Sequence, residues 1–590
     1  MRLRRKFVAA VSSAVLAAAL LGGCATGGDP GATAATAAAA TVDAATVDGT
    51  QTAAAVLAAN KTAHTATTAG TADAAEITLS GTSASSSADG VTIDGSTVTI
   101  SAAGTYRLSG TLTDGQIVVN APDATVTLIL DGVDITSSTT TAIAATDAAE
   151  LVVQLADGTT NKLADTSSYA EDADVNAALF SAGDLTITGG GALTVTGNGN
   201  DGIASKDGTL VQSGTITVQA ADDGIRGKDY VVINGGTVKV SAGGDGVKAD
   251  NEEDADSGYV SVTGGTMTID ATGDGVDAVT DIVTTGGTIT VTAGGGHTVQ
   301  PSDDASAKGL ESGVITVLEG GTTSVDASDD AVHSDGAVHF AGAKVTVASG
   351  DDGVHAEGQQ IVDGGSVEVT AAVEGLEAAD FVLNDGTVHV TSSDDGINGA
   401  GGAATGERAG GRGNDVGDFS VTVNGGTLVI DSEGDGLDSN GTATITGGTV
   451  VVNGPQRNGN GALDVNGSFT ISGGVLLAAG SAGMVVPPGT DSAQGWLSAT
   501  LDSAVTAGTT VQIVNSDGDV VASYVAGKTV QNIVYSSPAV KSGQQYTVHT
   551  GGSASGDSTG GLTAGGSLGS ATKVATVTAG EAPAGGHGPR

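Results

Sequence analysis

Between Asp201 and Asp464 one short phrase returns at a nearly fixed interval, and a period of this size decides what the chain can fold into. The copies begin Asp201-Gly-Ile-Ala, Asp223-Gly-Ile-Arg, Asp245-Gly-Val-Lys and Asp274-Gly-Val-Asp. They continue as Lys308-Gly-Leu-Glu, Asp330-Ala-Val-His, Asp352-Gly-Val-His and Glu374-Gly-Leu-Glu. The series closes with Asp395-Gly-Ile-Asn, Asp435-Gly-Leu-Asp and Asn460-Gly-Ala-Leu. Successive first residues lie 22, 22, 29, 34, 22, 22, 22, 21, 40 and 25 apart, so the modal period is 22 and the excess sits in four insertions.

One unit spells out the local structure: Val231-Val-Ile, Asn234-Gly-Gly, Thr237-Val-Lys-Val, Ser241-Ala-Gly-Gly, Asp245-Gly-Val-Lys-Ala. It holds three short runs in which apolar residues alternate with Thr, Ser or Lys, punctuated by Gly, and no apolar stripe of helical period. Three strands per turn of chain without a crossover helix predict an all-β, right-handed parallel β-helix, a solenoid of about 22 residues per coil. Composition agrees. Aromatics are only 2% of the 590 residues and the 96 glycines suit tight corners, so narrow Val, Ile and Ala layers are favoured over one bulky core.

Residues 1–24 read as an export signal, with Arg2, Arg4, Arg5 and Lys6 before an apolar run from Phe7 to Leu21. The run ends in Leu21-Gly-Gly-Cys24, which resembles a bacterial lipobox and implies lipidation of Cys24 and a lipoprotein on the extracellular face of the cell membrane. Residues 25–75 are Ala/Thr-rich without periodicity and are expected to be a disordered tether. The parallel β-helix is expected over 76–494, a small β cap over 495–552, and a disordered Gly/Ser-rich tail over 553–590. One cysteine excludes an intrachain disulfide.

The formal net charge of −46 argues against nucleic acid, whose phosphates would be repelled, and favours metal cations. If the coils stack in register, the repeat acids form a column with neighbours about 4.8 Å apart. Two carboxylates at that spacing repel by roughly 1 kcal/mol in water and about 3–4 kcal/mol at an effective dielectric of 20, so the column calls for cations. Calcium, which takes six to eight oxygens, is the natural partner. The doubled acids Asp329, Asp330, Asp351, Asp352, Asp394 and Asp395, with Glu374 and Glu377 between them, are the predicted ligands. The competing reading is that each Asp caps its turn while Gly supplies a positive φ. His333 and His355 share one column position; two stacked imidazoles can hold a transition metal, but neighbouring carboxylates favour an outward polar pair. Lys206, Arg226, Lys228 and Lys248 lie on three consecutive coils, in a chain with only 21 basic residues. They serve either as local charge balance or as a docking strip for sugar carboxylates. Lys308 reads as a built-in counter-ion, and Arg408 and Arg412 extend the candidate carbohydrate surface.

The ordered set Asp329-Asp-Ala-Val-His-Ser, Asp351-Asp-Gly-Val-His-Ala, Val373-Glu-Gly-Leu-Glu and Asp394-Asp-Gly-Ile-Asn resembles the carbohydrate-binding domain-containing β-helix family of bacterial surface proteins that binds cellulose and polygalacturonate, first known from clostridia. Gly104-Thr-Tyr-Arg-Leu-Ser-Gly, Leu128-Ile-Leu-Asp-Gly-Val-Asp-Ile and Tyr546-Thr-Val extend the resemblance over about 76–552, and the insertion at 399–417 departs from it. The resemblance implies calcium along the solenoid and an acidic plant-type polysaccharide as ligand, with no settled enzymatic role. Scattered aromatics and a lone Trp496 outside the repeat offer no stacking platform, so ionic recognition is expected. A calcium-dependent polysaccharide lyase is the alternative, with Arg226, Lys228 or Lys248 as the base. An adhesin or structural stalk is the third.

Overall fold

The alternation of Val and Ile with Thr, Ser and Lys is realised as parallel strands that pair three elements apart. The structure is a computed structural model describing residues 44–65, 73–170, 173–300, 307–401 and 416–582. Cys24, Arg408 and Arg412 lie outside the described residues. Tyr230–Ile233 pairs in parallel with Gly208–Val211 on one side and Tyr259–Val262 on the other. Thr237–Ala242 does the same with Thr215–Ala220 and Thr266–Ala271, and Val247–Ala249 with Ile225–Gly227 and Val276–Ala278. Val238, Val240 and Ala242 point inward and are buried, whereas Thr237, Lys239 and Ser241 are exposed, as period two requires.

Glycine has two distinct uses at the corners. In the Asn-Gly-Gly turns the second Gly adopts a positive φ, for example +87° at Gly236 and +66° at Gly426. The Gly of the Asp-Gly phrase does not, which corrects the expectation that it supplies a positive φ. It is needed because a Cβ on Gly224 would lie 2.2 Å from Val240 Cγ1 and 2.5 Å from the Gly246 carbonyl oxygen. Ala331 replaces it in one layer and is fully buried.

The expectation of an open solenoid of separable coils with a small cap is corrected. The strands from Ala75 to Val505, together with Val530–Ser536, belong to one continuous sheet of 44 strands that closes like a barrel wall around an apolar core. Thirteen-residue strands at Asp281–Ala293 and Ile315–Ala327 run through what the sequence divides into two runs, and so join two sides of the wall in one ladder. Neither end is left open. Val91–Asp94 and Thr97–Ile100 pair antiparallel at one end; at the other, Val530–Ser536 pairs antiparallel with both Val475–Gly480 and Trp496–Val505. A parallel edge left free would expose a row of unpaired N–H and C=O groups.

The C-terminal part exceeds the expected cap and runs past its expected end. Thr510–Val514, Val520–Val525, Gln545–Thr550, Leu562–Thr563 and Thr572–Thr578 form a five-stranded antiparallel sheet, so the supposed tail contributes strands. Tyr524, Tyr546, Ile513 and Val548 pack in its core together with Val451 and Leu477 of the wall.

Part of the expected tether is likewise folded. Residues 44–65 lie along the outside of the wall as a strap with a short helix, α1, at Ala53–Ala59. Val47, Ala53 and Val56 pack on Val283, Ile315, Val317 and Ala337. The Ala53 N–H donates to Glu319 (2.9 Å), Asn60 Nδ2 donates to Asp281 (2.6 Å), and Lys61 pairs with Asp229. His64 closes the strap, its N–H donating to the Tyr230 hydroxyl at 2.9 Å and its Nε2 lying 2.7 Å from Thr186 Oγ1. Val56→Asp places a carboxylate in this apolar contact and should cost about 3 kcal/mol of docking. Hydrogen exchange should then show amides of 53–60 losing protection while those of the wall keep theirs; unchanged protection would count against a docked strap.

Candidate cation-binding face

The recurring phrase places two side chains per layer on one face, and the parallel register stacks each into a column. The first column holds the repeat acids, and these do structural work with one oxygen. Asp223 Oδ1 accepts the Asp245 backbone N–H (2.9 Å), and Asp245 Oδ1 accepts that of Asp274 (2.8 Å). Asp330 Oδ1 likewise accepts from Asp352 (3.0 Å), Asp395 Oδ1 from Asp435 (2.6 Å), and Asp435 Oδ1 from Gly461 (2.5 Å). In the last layer Leu437 pairs with Leu463, so Gly461 rather than Asn460 stands opposite Asp435. Each pin leaves the second oxygen to the neighbouring column.

That second column is the fourth residue of each phrase. It reads Arg226, Lys248, Asp277, Glu311, His333, His355, Glu377, Asn398, Asp438 and Asp464, each paired with the next. Its basic members neutralise the first column from within. Lys248 bridges Asp245 and Asp277, and its Nζ is 2.9 Å from Asp277 Oδ2. Arg226 pairs with Asp250 and lies 3.6 Å from Asp201 Oδ2, while Lys228 reaches Glu253 at 3.0 Å. Lys308 lies 3.4 Å from Glu311. Of the predicted docking strip, Arg226, Lys228 and Lys248 are therefore tied to the chain's own acids. Lys206 joins Arg226, Lys228, Asn176 and Asp250 around a cavity of about 270 Å³.

The predicted calcium ligands divide into two groups. Asp329, Asp330 and Asp351 each bring a carboxylate oxygen within 4.8 Å of the others, and so do Asp352, Glu374 and Glu377. Asp394 and Asp395 lie one layer on and join neither group. The first group has imidazoles beside it. Burial raises the Asp330 carboxyl, but the hydrogen bond from His333 and the neighbouring charges of His355 and His333 outweigh that and hold it below its ordinary value. Burial lowers His333, but its bonds to Asp330 and Asp335 push it up to about 9. The histidines sit on the outward face of their strands, half-buried and turned onto the acids beside them.

The second group consists of oxygen donors alone. Burial and then the adjacent Glu374 carboxylate raise Glu377, and burial raises Asp352 despite the hydrogen bond from His355. Asn398, 9% exposed, donates Nδ2 to Glu374 Oε2 (2.7 Å) and Glu377 Oε2 (3.2 Å), while its own Oδ1 is buried with no hydrogen-bond partner. Beyond it the column continues acidic. Burial first, then like-charged neighbours, push Asp395 up to about 7 and Asp438 to about 8. A third acidic group, Asp245, Asp274 and Asp277, lies outside the predicted ligand set and is already occupied by Lys248.

Residues 94–353 match the family model described as carbohydrate-binding domain-containing protein. A carbohydrate-binding domain-containing protein of Acetivibrio thermocellus is 39% identical over 122 residues, 20% of this chain and 43% of that protein. The chain thus spans less than half the length of the curated relative it matches. Among solved structures, a polysaccharide lyase-like protein from C. thermocellum, in its gadolinium derivative, is similar at 28% identity with a TM-score of 0.36, over 50% of this chain and 97% of that one.

The buried acids make stability depend on pH in a defined direction. Asp201, Asp395 and Asp438 hold protons in the folded state to about 7, 7 and 8, whereas the unfolded chain releases them near 4. Their contribution is therefore present below about pH 4 and lost as pH rises through about 7–8. The melting temperature of metal-free protein in chelator should fall steadily from about pH 5 to pH 8.5. A rise over that range would show these carboxyls to be ionised in the fold.

Proposed function

We propose that this chain is a non-catalytic, calcium-dependent carbohydrate-binding lipoprotein of the bacterial surface that takes acidic, uronate-rich polysaccharide. The observation that carries the carbohydrate reading is the match of residues 94–353 to the carbohydrate-binding family model. The calcium reading is supported by the oxygen-only group of Asp352, Glu374 and Glu377, beside which Asn398 presents a buried carbonyl oxygen with no hydrogen-bond partner. Carboxylates together with amide carbonyls are the donors a hard divalent cation prefers.

The mode of sugar recognition follows from what the other side chains are already doing. Tyr230, Tyr259, Phe340, Phe381 and Trp496 are all buried, so none offers a flat face to a sugar ring. Arg226, Lys228 and Lys248 are engaged by Asp250, Glu253, Asp245 and Asp277. A uronate carboxylate is then best held by completing the coordination of a protein-bound calcium. No helix among the described residues is long and apolar enough to cross a membrane; attachment is assigned to lipidated Cys24.

The full chain should be retained on polygalacturonate in calcium and released by a chelator. Exchanging Glu374→Gln and Glu377→Gln together keeps the side-chain size, relieves repulsion, and should weaken retention roughly tenfold or more. Retention indifferent to chelator would overturn the calcium dependence. Growth of ultraviolet absorbance from unsaturated uronides would overturn the non-catalytic assignment in favour of a lyase.

A further inference from the structure

Two layers of the second column carry imidazoles where their neighbours carry carboxylates, and their geometry separates them from the oxygen-only group. His333 and His355 are paired in register, with rings 5.0 Å apart and tilted by 45°. Both Nδ1 atoms turn toward one carboxylate oxygen: Asp330 Oδ2 lies 2.8 Å from His333 Nδ1 and 3.9 Å from His355 Nδ1. One ligand atom from each of Asp330, His333 and His355 falls within 4.8 Å of the other two. Asp352 Oδ2 lies 3.1 Å from His355 Nδ1 and belongs to the neighbouring oxygen-only group.

The far sides of the rings are arranged as well. His333 Nε2 lies 3.3 Å from Asp335 Oδ1. His355 Nε2 is buried without a hydrogen-bond partner, 3.8 Å from Glu357 Oε1. The carboxylate behind His333 Nε2 favours the tautomer that leaves Nδ1 to bind a metal, the support that metal-binding histidines usually have.

We propose that Asp330, His333 and His355 form a site for a divalent transition metal of the zinc type. Two imidazole nitrogens and one carboxylate oxygen make a three-donor set that a water completes to the four-coordinate geometry suited to zinc or cobalt. Calcium, which prefers oxygen donors and a higher coordination number, is poorly served there. Ligand chemistry thus sorts the ions along the column: nitrogen-containing layers take the softer metal, and the next layers, with oxygen alone, take the hard one. This site does not depend on the assignment of calcium or of a sugar.

The test uses full-length protein stripped of metal, equilibrated with zinc in a large excess of calcium, desalted and assayed by elemental analysis. About one zinc per chain should be retained, and cobalt in its place should give the visible absorption of a four-coordinate site. His333→Gln and His355→Gln should each lower zinc retention by about tenfold or more while leaving calcium-dependent melting intact. Zinc-edge X-ray absorption of the unaltered protein gives a readout independent of how the variants fold, and scattering from two imidazoles is expected. The site is overturned if the unaltered protein retains no zinc, if the double variant retains as much, or if the zinc is surrounded by oxygen only. Zinc retention without any calcium response would support this site and sink the calcium reading alone.

Discussion

In-register parallel stacking places each residue about 4.8 Å from its counterpart in the next layer, and every other feature of this molecule answers to that spacing. For Val, Ile and Leu the rule is favourable, since like shapes stack into a dry core. For a carboxylate it is costly, by roughly 1 kcal/mol per neighbour in water and several times more where the site is shielded. Acids of the first column such as Asp223, Asp245, Asp274, Asp330, Asp395 and Asp435 persist because one oxygen receives a backbone N–H from the next layer. Removing the side chain would leave that buried N–H unpaired, at a cost of about 1–3 kcal/mol. Charge is tolerated here as the by-product of a hydrogen bond that holds two layers in register.

The second column shows how the excess charge is handled layer by layer. Arg226 and Lys248 bring permanent cations, and Lys308 replaces an acid outright. His333 and His355 bring imidazoles that rest on Asp330 and Asp352. From Glu374 onward the chain supplies no cation on this face among the described residues, only the amide of Asn398 between two glutamates. There burial and mutual repulsion raise Glu377, Asp395 and Asp438 together. Neutralisation thus passes from side chains to protons along the wall. Groups that must otherwise be protonated are the places where an external ion stabilises the fold most.

Strands, layers and columns were legible in the sequence because their signals are local and repeated. Nine of the ten steps read from the phrase agree with the strand register, and the last fails because Pro455 to Asn460 add one residue more than the Asn-Gly match suggests. The strap was not legible. Residues 44–65 offer few large apolar side chains, chiefly Val47, Val56 and Leu57, and no long periodic run, and their ordering depends on distant partners such as Ile315, Glu319 and Tyr230. Strands beyond residue 553 were hidden by Gly, Ser and Thr, and in Thr572–Thr578 only the last four residues, Ala-Thr-Val-Thr, alternate. The docking strip failed for a different reason. Asp250 and Glu253, which take Arg226 and Lys228, come from the insertion side of the repeat, so a pattern confined to the phrase could not contain them.

Closure of the wall gives the strap its significance. It meets the wall near Gly358, where the Ala44 carbonyl would block a Cβ, and ends at His64 beside Thr186 and Tyr230. It therefore runs against the direction in which layers are added and ties together layers more than a hundred residues apart in sequence. An array in which each layer touches only its neighbours opens from its ends, and contacts that cross several layers raise the cost of any local opening. The strap ends on Tyr230 and pairs through Lys61 with Asp229, in the strand that follows Arg226 and Lys228, while its helix covers the outside of Val283 and Ile315. Docking of the strap therefore adds contacts to layers that also carry the basic end of the charged face, and those contacts are lost only when the strap lifts away.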